Sequence, residues 1–190
     1  AIPDKVYVEI INEDGEVINQ PEAPETPSVD TTVNRALNAN VLGGSGENGG
    51  SEGYAQMFDG YDNTKWCTNG YSGWVAFNLD EAINVGKWIT KHAQTVGEPS
   101  AYNTEDFELQ VLNTEALGMS EDEFLASGQA NSTSILGNDA NWTTIDHVTG
   151  NTEKQVDRDL EDAPEARVYR LKINRSINGD QYEAVRLHEL

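Results

Sequence analysis

The chain has 190 residues, among them 4 Trp, 7 Tyr and 4 Phe, and its formal net charge is -21 from 33 Asp and Glu against 12 Lys and Arg. A chain this acidic repels polyanions, so nucleic acid and anionic membrane lipid are poor partners. No stretch reaches the roughly 18 to 20 consecutive apolar residues of a membrane span. The single cysteine, Cys67, cannot form an internal disulfide.

Residues 1–33 are expected to be an N-terminal tail, a linker or the remnant of a neighbouring module. Residues 5–18 contain two short extended runs around Asp14 and Gly15, and this pattern predicts a β-hairpin. The segment 19–32 carries three prolines and no aromatic residue, which is typical of a linker.

Residues 34–190 are expected to form one domain of short strands. Six segments are rich in β-branched or aromatic residues and are bounded by Gly, Asn, Asp or Pro, as strands often are. They are 73–79, 87–93, 106–112, 142–148, 166–173 and 183–190. Such a run of strands without alternating helices predicts an all-β sandwich, although the pattern does not distinguish a sandwich from a closed barrel.

Residues 113–141 interrupt the strands and are interpreted as an insertion, because they are too long and too polar for a simple hairpin loop. Ser120 and Glu123 have the spacing of a capping box, and Gly128 is a suitable stop signal. The segment 120–128 is therefore predicted to be helical.

No motif of a hydrolase nucleophile, a zinc protease or a phosphate loop occurs in the sequence. The glycine-rich segment 43–53 lacks the Lys-Ser/Thr pair and the helix of a phosphate loop, so it is interpreted as a surface loop. His92, His147 and His188 lie on different predicted strands and give little support to a zinc site. The chain is therefore not expected to be an enzyme.

The segment 52–66 gathers oxygen ligands within a tight loop. Asp59, the turn at Gly60–Asp62 and Thr64 supply carboxylate, carbonyl and hydroxyl oxygens just before Trp66. Calcium takes roughly six to eight oxygen ligands and accepts backbone carbonyls readily. The alternative is an ordinary Asp-Gly turn.

The order of motifs along the chain resembles the discoidin superfamily, also called the coagulation factor five/eight type C domain, and most closely carbohydrate-binding module family 32. The motifs are Trp66, W-x-x-x-x-L at 74–79, HAQTVGEPSAYNTEDFELQ at 92–110, a W-x-x-I strand followed by Gly150, Asn151 and Thr152, then ARVYRLKI and finally RLHEL. The resemblance covers residues 34–190, with 113–141 as a departure. It implies a discoidin-like jelly-roll β-sandwich of the galactose-binding-domain type.

The resemblance also implies a structural calcium ion near the point where the chain ends meet. The implied ligands are carbonyl, carboxylate and hydroxyl oxygens of Gln56, Asp59, Tyr61, Thr64, His188 and Glu189. Asp62 is the alternative side-chain ligand, and Glu189 could instead be a solvated carboxylate at a strand end. An ion held in this way would join an early loop to the last strand.

Members of this family usually bind sugar with loops at one end of the sandwich, where an aromatic ring meets the apolar face of a pyranose and polar side chains meet its hydroxyls. The residues implied here are His92, Glu98, Asn103 and Asn151, with Tyr182 and Tyr54 as aromatic candidates and Tyr102 as a further one. His92 could instead brace its own loop, and each tyrosine could be an ordinary surface or packed residue.

An arginine that galactose-binding members often use does not occur before Asn151, where Thr144 and Asp146 stand. Galactose specificity is therefore not implied. The four tryptophans, which lie in or beside predicted strands, are assigned to the core.

The resemblance implies a non-catalytic module that binds the terminus of an oligosaccharide outside the cell. Its parent is expected to be a secreted or surface glycosidase that carries other modules on the same chain. The alternative is a protein-interaction or adhesion module with the same fold, in which loops enlarged by the insertion meet a protein.

Overall fold

The structure is a computed structural model that describes residues 33–177 and 183–190, together with the backbone of residues 10–11 and 17–19. The described strands are β1 (Ile10–Ile11), β2 (Val17–Asn19), β3 (Asn40–Gly44), β4 (Trp66–Asn69), β5 (Gly73–Asn84), β6 (Lys87–His92), β7 (Asp106–Leu112), β8 (Trp142–Val148), β9 (Gln155–Asp159), β10 (Glu165–Arg175) and β11 (Ala184–Glu189). The α-helices are α1 (Thr114–Leu117), α2 (Glu121–Ala126) and α3 (Thr133–Leu136). Short 3-10 helices occur at Tyr54–Phe58, Ala93–Val96, Ser100–Tyr102 and Asp139–Asn141.

Two antiparallel sheets make up the sandwich. One has the strand order β3-β5-β10-β7-β8, and the other has the order β4-β11-β6-β9. This arrangement confirms the predicted sandwich and excludes the closed barrel. A separate pair, β1 and β2, is antiparallel with Ile11 opposite Val17, as the hairpin prediction requires. The Asp14 and Gly15 turn lies outside the described residues.

The main core lies between the two sheets, where alternate residues of each strand meet. Phe107, Leu171 and Leu187 are completely buried there, together with Trp66. Burial of such side chains is the largest favourable contribution to folding, at about 1.5 to 3 kcal/mol for each one. The strands are therefore held by their inward-facing positions.

All six predicted strands are present, and β5 and β10 extend beyond the predicted bounds. Three further strands were not predicted. β3 (NVLGG) contains two glycines, β4 has only four residues, and β9 (QVDRD) has one apolar residue in an exposed run. None of these offers the apolar alternation on which the prediction depends.

The insertion packs against the outer face of the five-stranded sheet. α2 begins with the predicted capping box of Ser120 and Glu123, but it ends at Ala126 because Ser127, rather than Gly128, caps it. Phe124 and Leu136 of the insertion are buried in a second core, which also contains Trp142. Trp74 packs at the edge of this second core and is only partly buried, so its assignment to the core is correct in part.

A buried arginine of β10 joins the insertion to the sheet. The Arg170 side chain is 0% exposed, and its guanidinium donates to Gln110 Oε1 at 2.7 Å, to the Leu136 carbonyl oxygen at 3.0 Å and to Asp139 Oδ1 at 2.6 Å. The guanidinium carbon also lies 5.0 Å from the centre of the Trp142 ring. Sheet and insertion therefore share one network of hydrogen bonds.

A second contact uses the Glu121 carboxylate. Its two oxygens accept the backbone N–H groups of Arg167 at 2.9 Å and of Val168 at 3.0 Å. These amides lie where the pairing register between β10 and β5 shifts, between Ala166 and Val168. The carboxylate thus accepts hydrogen bonds from two backbone amides at a point where the strand pairing is irregular.

Loops gather at two ends of the sandwich because neighbouring strands are antiparallel. At one end, Ile173 lies opposite Gly73 and Arg175 lies opposite Asp106; we call this the Arg175 end. At the other, Glu165 lies opposite Asn84; we call this the Glu165 end. The insertion leaves the sheet at the Glu165 end. Among the described residues, no helix is long and apolar enough to cross a membrane.

Replacing Arg170 by methionine is expected to lower the free energy of unfolding by about 1 to 3 kcal/mol, because the buried Gln110 Oε1 loses its charged donor. Urea unfolding measures this change. Arg35→Met is the control, since the exposed pair of Arg35 with Glu81 should contribute at most about 1 kcal/mol. Equal losses in the two variants would contradict a structural role for the Arg170 network.

Candidate functional site

The oxygen atoms of the 52–66 loop converge on one hydroxyl group. Thr64 Oγ1 lies 2.7 Å from the Tyr61 carbonyl oxygen, 2.9 Å from Asp59 Oδ1 and 3.4 Å from the Gln56 carbonyl oxygen. A hydroxyl carries a single proton and can donate only one strong hydrogen bond. The structure therefore brings together four of the predicted calcium ligands in an arrangement with more acceptors than donors.

The last strand reaches the same place. Leu190 N donates to the Met57 carbonyl oxygen at 2.9 Å, which fixes the end of β11 against the 3-10 helix at 54–58. The Glu189 carboxyl is buried, and its Oε1 has no hydrogen-bond partner among the described residues. Burial, together with the nearby Asp59 carboxylate, raises the pKa of Glu189 to about 7.

Beside this cluster, one ring nitrogen of His188 and the Asp62 carboxylate have partners of their own. His188 Nδ1 lies 2.8 Å from the Asp62 carbonyl oxygen, and burial lowers the pKa of this imidazole, which favours its neutral form. The Asp62 carboxylate forms an ion pair with the Lys91 ammonium, so Asp62 is engaged elsewhere. In the described part of the chain, no group of three or more His, Cys, Asp or Glu could hold a metal. The Thr64 cluster has only two carboxylates, those of Asp59 and Glu189, and its other oxygens are carbonyl and hydroxyl groups. Such a set of oxygen ligands suits a hard cation.

His92 lies inside the sandwich rather than at its surface. Its side chain is 0% exposed, its Nε2 lies 3.0 Å from Thr90 Oγ1, and its ring is 5.1 Å from the Phe107 ring. Burial, with a smaller contribution from His188, lowers the pKa of His92 to about 3, so the ring is neutral. The expectation that His92 contacts glycan is therefore corrected: the ring is covered by protein.

Asn103 and Asn151 are also buried and hold loops together. Asn103 Oδ1 accepts the Gln94 backbone N–H at 2.9 Å, and its Nδ2 donates to the Thr152 carbonyl oxygen at 2.9 Å. Asn151 Nδ2 donates to the Thr104 carbonyl oxygen at 2.8 Å. These bonds connect the 93–105 and 149–154 loops, so direct glycan contact by the two amides is corrected to a positioning role.

The remaining predicted ligand residues are engaged with protein. Glu98 forms ion pairs with Lys65 at 2.7 Å and with Arg186 at 3.4 Å. The Arg186 guanidinium carbon lies 4.6 Å from the centre of the Tyr102 ring. These contacts engage the Glu98 carboxylate and one face of the Tyr102 ring with protein.

Tyr54 is half-buried, with its ring 5.7 Å from that of Trp66. A methyl group added to Gly44 would lie 2.3 Å from the Tyr54 ring, so the ring sits directly on the β3 backbone. Tyr182 lies outside the described residues. The predicted tyrosines that can be described are thus packed side chains.

Asp146, in the neighbourhood where the family arginine is missing, joins the two sheets. Its Oδ2 accepts Trp88 Nε1 and Arg158 Nε, both at 2.8 Å, and its Oδ1 accepts Arg158 Nη2 at 2.9 Å. Hydrogen bonds from Arg158 and Trp88 outweigh the effect of burial and lower the pKa of Asp146. This carboxylate is therefore ionised, and its hydrogen bonds stabilise the contact between the two sheets.

The Arg175 end presents a tyrosine that is not among the residues implied by the resemblance. Tyr71 is 44% exposed, on the short connection from β4 to β5. The backbone there is held by Gly70 N to Glu183 O at 2.9 Å, Ser176 N to Tyr71 O at 2.6 Å and Ser176 Oγ to Gly70 O at 3.0 Å. Gly70 has φ of 111°, a conformation that favours glycine. The backbone of this connection is therefore fixed, and Tyr71 is partly exposed on it.

An ion pair also lies at the Arg175 end. Arg175 at the end of β10 pairs through Nε with the Glu105 carboxylate, and their side chains are 48% and 29% exposed. The Glu105 backbone is fixed on both sides, because its N–H donates to Arg175 O at 3.0 Å and its carbonyl accepts Asn151 N at 2.9 Å. An aromatic residue within the turn-forming sequence Asn-Gly-Tyr-Ser-Gly was the signal that could have identified this surface.

Replacing Asn103 by alanine is expected to lower the free energy of unfolding by about 1 to 3 kcal/mol, because the buried Gln94 N–H and Thr152 carbonyl lose their partner. Thermal or urea unfolding measures the effect. Asn131→Ala, at an exposed position, is the control and should change stability by less than about 0.5 kcal/mol. An Asn103→Ala domain of unchanged stability would contradict the positioning role.

No protein-family model matches the sequence, and no curated protein matches it. Solved structures do match. The family 32 carbohydrate-binding module of Streptococcus pneumoniae EndoD has a TM-score of 0.64 at 24% identity, over 83% of this chain and 96% of that chain. Chitosan-binding module 2 of a chitosanase/glucanase from Paenibacillus sp. IK-5, in complex with chitotriose, has a TM-score of 0.55 at 21% identity, over 82% and 96% of the two chains.

A third match is a Clostridium perfringens module, CpGH89CBM32-5, in complex with GalNAc-β-1,3-galactose. Its TM-score is 0.54 at 18% identity, over 82% of this chain and 94% of that chain. The matches cover nearly the whole length of these modules and confirm the predicted architecture. The chain has the discoidin-like jelly-roll fold of the family 32 carbohydrate-binding modules.

Proposed function

We propose that this domain is a non-catalytic module that binds glycans with the loops at the Arg175 end. The observation that carries the proposal is Tyr71, a tyrosine that is 44% exposed on a backbone fixed by three hydrogen bonds, among the loops at this end of the sandwich. A partly exposed aromatic residue on a fixed backbone suits contact with the apolar face of a pyranose. Modules with the same fold support the proposal, since solved examples hold chitotriose and GalNAc-β-1,3-galactose.

The carboxylates near this end support a binding role rather than catalysis. Asp106 and Glu108 both accept hydrogen bonds from Asn174 Nδ2, at 2.9 and 2.7 Å. Burial opposes ionisation, but hydrogen bonds from Asn174 and other donors lower the pKa of both groups. Glycoside hydrolysis usually needs one carboxyl group that stays protonated, and neither group of this pair is suited to that task.

The domain is proposed to act outside the cell as part of a secreted or surface glycosidase with further modules. The Paenibacillus module with this fold is derived from a chitosanase/glucanase. A module that holds glycan keeps the attached enzyme at a high local concentration on its substrate.

The position of the insertion favours glycan binding over the protein-interaction alternative. That alternative depended on loops enlarged by residues 113–141. The insertion instead packs on the outer face of the five-stranded sheet and leaves the sheet at the Glu165 end. It adds no surface to the loops around Tyr71.

We also propose a structural calcium ion in the Thr64 cluster. The ligands would be carbonyl oxygens of Gln56, Tyr61 and His188, side-chain oxygens of Asp59 and Glu189, and Thr64. The buried Glu189 Oε1 without a hydrogen-bond partner among the described residues, and the excess of acceptors around Thr64, both fit a cation. The ion would neutralise two adjacent carboxylates.

Adding calcium to chelator-treated protein is expected to raise its melting temperature, with a stabilisation of about 2.7 kcal/mol at a calcium concentration 100 times the Kd. Glu189→Gln should lose most of this gain, because one charged ligand is removed. Glu161→Gln, an exposed glutamate elsewhere, is the matched control and should keep it. Identical melting curves of the wild-type domain with calcium and with chelator would disprove the ion.

The binding function is tested with an array of uncharged, anionic and amino-bearing oligosaccharides. The calcium-loaded domain is expected to bind a defined subset, and free oligosaccharide of the same type should compete. Isothermal titration with the best-bound glycan then gives the affinity and the stoichiometry. A folded domain that binds no glycan on the array would contradict the proposal.

A further inference from the structure

We propose that the outer face of the five-stranded sheet is a second glycan-binding surface, and that it takes an oligosaccharide of amino sugars. The surface lies on the sheet and not among the loops at the Arg175 end, so its function is additional to the proposed one. We call it the Trp74 face and define it by six residues: Trp74, Asp106, Glu108, His147, Lys172 and Asn174.

The Trp74 face is the part of the outer side of the sheet that the insertion does not bury. Lys172 of β10 lies opposite Trp74 of β5 and opposite Glu108 of β7. Glu108 in turn lies opposite His147 of β8. Directly opposed side chains project to the same side of a sheet, so these four form one row across four strands, about 14 Å long at a strand spacing of about 4.8 Å. Each of the four is at least partly exposed.

The Trp74 indole has an unused hydrogen-bond donor. The other three tryptophans donate their indole N–H to protein oxygens: Trp66 to Gly46 O at 2.9 Å, Trp88 to Asp146 Oδ2 at 2.8 Å and Trp142 to Leu136 O at 2.8 Å. Trp74 Nε1 has no acceptor among the described residues and is not one of their buried unpaired atoms, so water reaches it. A methyl group added to Gly137 would lie 3.2 Å from Trp74 Cζ2, so the insertion holds the indole from one side.

Two carboxylates of the face have no lysine or arginine partner. Asn174 Nδ2 donates to Asp106 Oδ1 at 2.9 Å and to Glu108 Oε1 at 2.7 Å, which fixes both side chains. Burial opposes their ionisation, but hydrogen bonds from Asn174 and other donors lower the pKa of both. In the part of the chain that the structure describes, Asp106 pairs only with the exposed His147, at 2.8 Å, and its Oδ2 accepts no hydrogen bond.

The cations on this side of the sheet are bound to the insertion instead. Lys172 Nζ donates to Asp139 Oδ2 at 2.8 Å, and the buried Arg170 guanidinium donates to Asp139 Oδ1 at 2.6 Å. Lys172 acts on Asp106 and Glu108 only through longer-range electrostatics. The negative charge of these two carboxylates therefore remains on the open side of the face, where a ligand cation can compensate it.

An oligosaccharide of amino sugars matches the face in charge and in hydrogen-bonding groups. A protonated amino group would donate charge-assisted hydrogen bonds to Asp106 Oδ2 and to Glu108. A neighbouring sugar would place C–H groups against the Trp74 ring and accept the indole N–H with a hydroxyl group. Because β10 separates Trp74 from Glu108, more than one sugar ring is needed to reach both. The formal charge of -21 attracts such a polycation from solution.

The test titrates a glucosamine oligomer, and its N-acetylated counterpart of the same length, into the domain while NMR records the indole N–H signals. Trp74→Phe assigns the Trp74 signal. The glucosamine oligomer should shift this signal and leave the other three nearly in place, because their N–H groups are bonded within the protein. The N-acetylated oligomer carries no charge and should bind the face at least about tenfold more weakly. Added salt should weaken binding of the glucosamine oligomer.

Two variants test the carboxylates. Asp106→Asn and Glu108→Gln each remove one charge from the face and should weaken binding of the glucosamine oligomer by about tenfold. Asp159→Asn is the matched control, because this aspartate of β9 lies on the other sheet with its side chain 84% exposed, and it should bind like wild type. Urea unfolding verifies that each variant is folded.

A glucosamine oligomer that does not bind, that binds without shifting the Trp74 signal, or that binds both carboxylate variants like wild type would overturn the Trp74 face. Equal affinity of the face for the two oligomers would overturn the amino-sugar class. Glycan binding by the loops is read separately, from the backbone amide signals of Gly70 and Tyr71 with the best ligand of the array. A Trp74 shift without a loop shift for any glycan would support the Trp74 face and contradict the proposed function.

Discussion

Carboxylate groups accepting hydrogen bonds from a second element hold the layers of this domain together. Asp146 joins one sheet to the other through Trp88 and Arg158. Glu121 and Asp139 attach the insertion to β10. In a chain with a formal charge of -21, donors beside a carboxylate reduce the repulsion among its acids. These three carboxylates therefore contribute to the architecture, while the apolar core fixes the strands.

The sequence predicted the elements whose periodicity is strong. β7 and β8 match their predicted bounds, and the capping box of Ser120 and Glu123 forms as expected. The strands β3 and β9 were not predicted, because pairing with neighbouring strands specifies them rather than a local sequence pattern. The 113–141 segment was recognised as an insertion, but its packing on a sheet face depends on Arg170, whose partners lie 31 to 60 residues away in the chain.

The candidate sites were predictable to different degrees. Four of the proposed calcium ligands, Gln56, Asp59, Tyr61 and Thr64, are close in sequence, and they do come together. The glycan residues were chosen by resemblance, which identifies a position but not its depth below the surface. His92 is completely buried, and burial depends on how the loops pack over a strand. Tyr71 was not selected because Ser176 and Glu183, which hold its connection, are distant from it in sequence.

The three hydrogen bonds that fix the Gly70–Tyr71 backbone affect how a sugar would bind and leave. Because the connection is already ordered, a sugar that meets the ring loses little affinity to ordering of the protein. The same rigidity prevents the connection from folding over its ligand, so contact is limited to one face of the sugar. Such an open, preformed surface is expected to bind and release quickly. In the proposed role, an enzyme tethered to this surface would move across a glycan-rich surface between turnovers instead of remaining fixed at one point.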